Sequence, residues 1–116
     1  MSLRDRILAA DDIGKETILI EQWGVELEVR TLSAFQRSRM LKTCTTPDGN
    51  VDLDRLYPML VIATVFDPET GLQVFSEDDM QALQDKSASA VEVVAQKAME
   101  MSGMTPKGGD EEGKLS

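Results

Sequence analysis

The chain has 116 residues, with 21 acidic against 12 basic side chains, a net charge of −9, no histidine and one cysteine. That length holds one core and not two, and folding at this size buries roughly 60–70% of the surface the unfolded chain exposes, so no covalent staple is required. Cys44 has no partner for an internal disulfide, which excludes a secreted minidomain scaffold and fits a reducing cytoplasm. The missing histidine excludes Ser-His-Asp and Cys-His catalysis and histidine-ligated metals, while the acidic field opposes nucleic acid and anionic membranes and favours a positively charged protein partner.

Residues 2–10 have Leu3, Ile7 and Leu8 spaced for one apolar side of a short helix, with Ser2 as its cap. Arg4, Asp5 and Arg6 deny this segment the apolar run of a signal peptide. Residues 11–15 read as a linker. From Glu16 the period becomes two: Ile18 and Ile20, then Val25, Leu27 and Val29, alternate with polar neighbours, the pattern of a half-buried β-hairpin. A loop Glu21-Gln22-Trp23-Gly24 pairs Ile20 with Val25 and Ile18 with Leu27 on one face, and places Gly24 where a left-handed residue is often needed. A two-residue loop keeps the same parity but asks Trp23 for a positive φ. Leu19 falls on the opposite face with Glu26 and Glu28, which is expected to be mostly solvated.

Thr31 or Ser33 can cap the next helix, Ser33 standing three residues before Gln36 as in a capping box, and Phe35, Met40 and Leu41 mark its inner side. Arg37, Arg39 and Lys42 make it the one locally basic stretch, read as a solvated face. Pro47-Asp48-Gly49 is a turn, and Asp52 caps a second helix carrying Leu53, Leu56, Tyr57, Leu60 and Thr64. This should be the most buried element, kinked or restarted near Tyr57 by Pro58. The β-branched run at 61–65 leaves a strand open as the alternative. Asp67-Pro68-Glu69-Thr70-Gly71 is a turn into a short extended stretch at 72–75. Ser76-Glu77-Asp78-Asp79 starts a helix with Phe75 poised to staple onto Met80, and Ser87 begins the last helix, with Val91, Val94, Ala95, Ala98 and Met101 on one face.

The expected architecture is therefore α+β: a mainly helical domain over residues 1–104, with an N-terminal hairpin packed on about four helices. A Gly- and acid-rich tail at 105–116 is expected to be disordered. Glu77-Asp78-Asp79 lacks the alternating oxygens of a calcium loop and opens a helix, while Asp48-Gly49-Asn50-Val51-Asp52 resembles half of such a loop but has no closing glutamate and follows Pro47, so a turn and an N-cap explain it better; the glycines at 103, 108, 109 and 113 follow no strand and open no helix as a phosphate cradle does. No catalytic, cofactor or metal residues stand out. Cys44, at a helix end near Lys42, has a somewhat activated thiol on this reading but no histidine base. What is distinctive is methionine, seven in all, with Met99, Met101 and Met104 gathered at the end of the last helix. Flexible thioethers suit surfaces that accept varied apolar partners. Trp23, Val94, Met101 and Met104 are the candidate partner-binding residues.

The order Glu21-Gln22-Trp23-Gly24-Val25, Arg30-Thr31-Leu32-Ser33, Asp52-Leu53, Phe75-Ser76-Glu77-Asp78-Asp79, Lys86-Ser87 and Met101-Ser102-Gly103 resembles the tail assembly chaperones of long-tailed siphophages, over about residues 1–105. The resemblance implies a small, mostly helical fold with a β-hairpin, without enzymatic activity or cofactor. It further implies a protein that binds the phage tape-measure protein in the cytoplasm of the bacterial host, helps recruit tail-tube protein, is absent from the finished virion, and in some relatives self-associates. Many relatives are also made in a longer, frameshifted form, for which codons at Gly113-Lys114 would be the place to look. Two other classes remain open: an acidic inhibitor of a basic nucleic-acid-binding protein, and a head-tail connector retained in the particle.

Overall fold

The computed structural model describes residues 2–104, so the tail at 105–116 lies outside the described residues. In chain order the elements are α1 (Leu3–Ala9), β1 (Lys15–Ile20), β2 (Val25–Arg30), α2 (Ala34–Cys44), α3 (Leu53–Thr64), β3 (Val65–Phe66), a 3-10 turn (Glu77–Asp79), α4 (Met80–Gln84) and α5 (Ala88–Met101). The architecture is α+β, with helices α2 to α5 packed about an antiparallel sheet of order β1-β2-β3.

The hairpin has the register that side-chain parity predicts. Ile18 faces Leu27 and Ile20 faces Val25 across the loop at 21–24, and Gly24 takes φ +65°. Ile20, Leu27 and Val29 are buried on the inner face. On the outer face Leu19 is exposed, and Arg30 lies 3.8 Å above the centre of the Phe66 ring while its Nε donates to Glu28 Oε2 at 2.5 Å. That face is less bare than a solvated reading implies, because β3 brings Phe66 beside Glu28.

Residues 61–65 resolve the open choice between helix and strand in favour of helix through Thr64, with Val65 passing directly into β3. Leu60, Val61 and Thr64 are fully enclosed, and α3 is the central element. Pro58 neither breaks nor restarts it. Proline removes the bond normally made to the carbonyl four residues back, which is that of Asp54, and Gln84 Nε2 donates to that carbonyl at 3.1 Å instead. The end of α3 is treated similarly, with Gln73 Nε2 donating to Ile62 O at 2.6 Å. β3 stops after two residues because the position facing Glu26 in the same register is Pro68, which has no N–H to donate.

Other expectations needed revision. Ser33 and Gln36 form both halves of the capping box, and Met40 is buried, but Phe35 is 69% exposed and Leu41 lies at the surface. Asp52 occupies the N-cap of α3 without a side-chain bond to it. Its N–H donates to Cys44 O at 2.7 Å, closing the turn in which Asp48 accepts from Thr46 Oγ1 and Asn50 Nδ2. Ser76 opens a 3-10 turn before α4, with its N–H donating to Asp79 Oδ2 at 2.8 Å. The last helix ends in a Schellman motif: Met104 N donates to Met99 O at 2.7 Å, Gly103 N to Glu100 O at 3.3 Å, and Gly103 has φ +69°.

Candidate partner-binding surface

The hairpin lies along α5. At its tip, Gln22 Nε2 donates to Ser89 Oγ at 3.2 Å, near the start of α5. Midway, Lys97 Nζ meets Glu16 Oε1 at 2.8 Å, and this bond, followed by that to Glu100, raises the pKa of Lys97. Beyond the base, Leu32 N donates to Ser102 Oγ at 2.9 Å, and Arg37 Nη1 donates to Ser102 O at 3.3 Å. Arg37 therefore helps hold the C-terminal end of α5, beyond the solvated role read from its charge.

This geometry separates the four candidate residues. Trp23 is half-buried at the tip, against Phe75 and Leu83. Met101 and Met104 are half-buried at the other end of α5, where the Met101 thioether methyl lies 3.9 Å from the position a Cβ on Gly14 would take. The length of α5 keeps the two ends about 20 Å apart at 1.5 Å per residue. Val94, between them, is 0% exposed. It belongs to the core and presents no surface, and the four residues do not make one strip.

Other surfaces carry the exposed apolar groups. Leu19 on β1 and Val93 on α5 are neighbours around a shallow depression. β1 is an edge strand: with Gly14 O accepting from Thr31 N, antiparallel alternation turns the backbone groups of Lys15, Thr17 and Leu19 outward. A second depression is lined by Trp23, Val25, Val74 and Phe75, by the buried Leu27 and Val65, and by the acids Glu26, Asp67 and Glu69, with no cation among its lining residues. Sequence patterning marked Trp23 and Phe75 singly. Nothing in it placed the turn at 67–71 beside the hairpin tip, which is what makes the groove.

Cys44 is 1% exposed, its Sγ is 3.5 Å from Met59 Sδ, and burial pushes its thiol pKa up despite the nearby Arg55. The activated thiol expected from Lys42 is thus reversed by burial. Among the described residues no helix is long and apolar enough to cross a membrane.

The helices around a hairpin-based sheet form a tail-assembly-chaperone-like fold. The tail assembly chaperone of bacteriophage HK97 is similar to this chain at a TM-score of 0.62 over 84% of this chain and 91% of that one, with 17% sequence identity. No protein-family model matches the chain, and no curated protein matches it.

Proposed function

We propose that this protein is a phage tail assembly chaperone: a non-enzymatic protein of the infected bacterial cytoplasm that binds the tape-measure protein, assists tail-tube assembly and is left out of the mature virion. The observation that carries the reading is the shared fold with the HK97 tail assembly chaperone, which spans nearly the whole of both chains. The acidic, histidine-free composition supports it, since transient holding of an aggregation-prone chain stabilises that chain by mass action and needs no catalytic group. We assign Met101 and Met104 at one end of α5 and Trp23 at the other to tape-measure binding or self-association, with Val94 supporting them only through the core.

The test is co-expression with the tape-measure protein encoded nearby, scoring its solubility and co-purification. The expected result is a soluble tape-measure protein in a stable complex, lost in a Met101→Glu, Met104→Glu double variant that still melts cooperatively. An insoluble tape-measure protein beside a folded, solitary chain overturns the reading and moves the assignment to an acidic inhibitor. Mass spectrometry of purified particles separates a chaperone from a connector, which must be present there.

A further inference from the structure

In a chain of net charge −9, α2 is the one described element that carries cations and no acid: Arg37, Arg39 and Lys42. Phe35, Arg39 and Lys42 follow at i, i+4 and i+7, so they share one side of the helix, opposite the buried Met40 and Cys44. All three are exposed, and the Arg39 guanidinium stands 5.6 Å from the centre of the Phe35 ring. None of the four ion pairs among the described residues involves a cation of α2. Glu77 is the one acid lining the depression beside Phe35 and Arg39.

The chain leaves the described fold next to this helix. Arg37 Nη1 donates to Ser102 O and lies 3.5 Å from the position a Cβ on Gly103 would take, and Gly103, at φ +69°, turns the backbone out of α5. The segment that follows holds the uninterrupted acidic run Asp110-Glu111-Glu112, set off by glycines from Lys107 and Lys114. Residues 104–110 span up to roughly 20 Å when extended. A half-circuit of a helix about 10 Å across is roughly 16 Å, so the run reaches from Arg37, past the exposed Ser38 and Leu41, to Lys42 and Arg39.

We infer that the acidic run Asp110-Glu111-Glu112 of the chain's own C-terminal segment docks on the Phe35-Arg39-Lys42 face of α2, as a reversible cover over that face. Exposed ion pairs are individually weak, but a short tether holds the two charge groups at a millimolar effective concentration, which favours this segment over a free acidic partner. Any other protein that uses this face must displace the cover, and its affinity falls by the fraction of chains whose face is open. The inference goes beyond the chaperone reading and does not depend on it.

The experiment uses the full chain with a nitroxide on Gly113→Cys, attached at pH 7, where Cys44 is 1% exposed and stays unreacted. Broadening of backbone amide signals in the nitrogen-15 spectrum reports which residues the nitroxide visits. The expected result is broadening at Phe35, Arg39 and Lys42 that does not change on dilution and shrinks as NaCl rises from about 10 mM to about 0.2 M. Asp110→Lys with Glu111→Lys and Glu112→Lys should reduce it by roughly threefold or more, the change in population that two or three exposed ion pairs allow. Adding Arg39→Glu and Lys42→Glu to that chain should restore it, and none of the five substitutions touches a core residue. Broadening on α2 that the reversal leaves unchanged reflects only the nearby exit of the chain and overturns the docking, as does broadening that misses α2. Broadening passed to nitroxide-free copies mixed with the labelled chain places the contact between molecules and overturns an internal cover.

Discussion

Two buried groups show how much individual atoms contribute. Ser102 Oγ is the acceptor for the N–H of Leu32, a buried contact joining the end of β2 to the end of α5. Ser102→Ala leaves that donor unpaired, at a cost of about 1–3 kcal/mol. For a chain of this size it should lower the melting temperature by roughly 4–8 °C per kcal/mol, measurable by calorimetry. Cys44 makes a prediction in pH. Its folded pKa is raised by burial, so the folded state holds the proton more tightly than the unfolded state. The resulting stability is complete below the unfolded thiol value of about 8.5 and is lost as pH rises through the folded value. The urea midpoint of the native chain should therefore fall between pH 8 and 10 more steeply than that of Cys44→Ala. Iodoacetamide should alkylate Cys44 slowly until the chain unfolds.

At the scale of elements, the turns are tests of backbone conformation. Gly24 has φ +65° with open space around its Cβ position, so a substitution there meets no clash and only the left-handed penalty. Gly24→Ala should cost about 1–2 kcal/mol and Gly24→Asn distinctly less, read as a lower urea midpoint at unchanged slope. Much at this scale was legible in sequence. Alternation, with Gly24 and not Trp23 suited to a positive φ, set the register of β1 on β2, because a slip by one residue would turn either Ile18 and Ile20 or Leu27 and Val29 to solvent. The Ser33 capping box was legible because it is a local bond between residues three apart. Phe35 was read inward on helical spacing, but α2 closes on the core mainly through Met40 and Cys44. Helical period defines a face without saying how much of it another element covers.

The whole molecule carries 21 acidic against 12 basic groups, and only four ion pairs are formed among the described residues. Self-repulsion should make the fold more stable as salt screens it. Raising NaCl from about 10 mM to 0.2 M shortens the screening length from roughly 30 Å to below 10 Å and should raise the melting temperature at pH 7; a flat or falling response would refute net repulsion. The candidate surfaces also belong to this scale. Trp23, Met101 and Met104 were visible as unusual residues, yet their separation to opposite ends of α5, and the enclosure of Val94, follow from the way the hairpin lies along that helix.

What the sequence determined by itself is local: the hairpin and its register, the Ser33 capping box, the turns at Gly24, Gly49 and Gly71, and the absence of histidine chemistry. These depend on periods of two and 3.6 and on residues within a few positions of each other. The tertiary structure decided β3 on β2, the rescue of Asp54 O by Gln84, the raised pKa of Cys44, the acid-lined groove at the hairpin tip and the exposure of α1. Each of these is set by contact or coverage between distant segments, which a one-dimensional pattern does not encode.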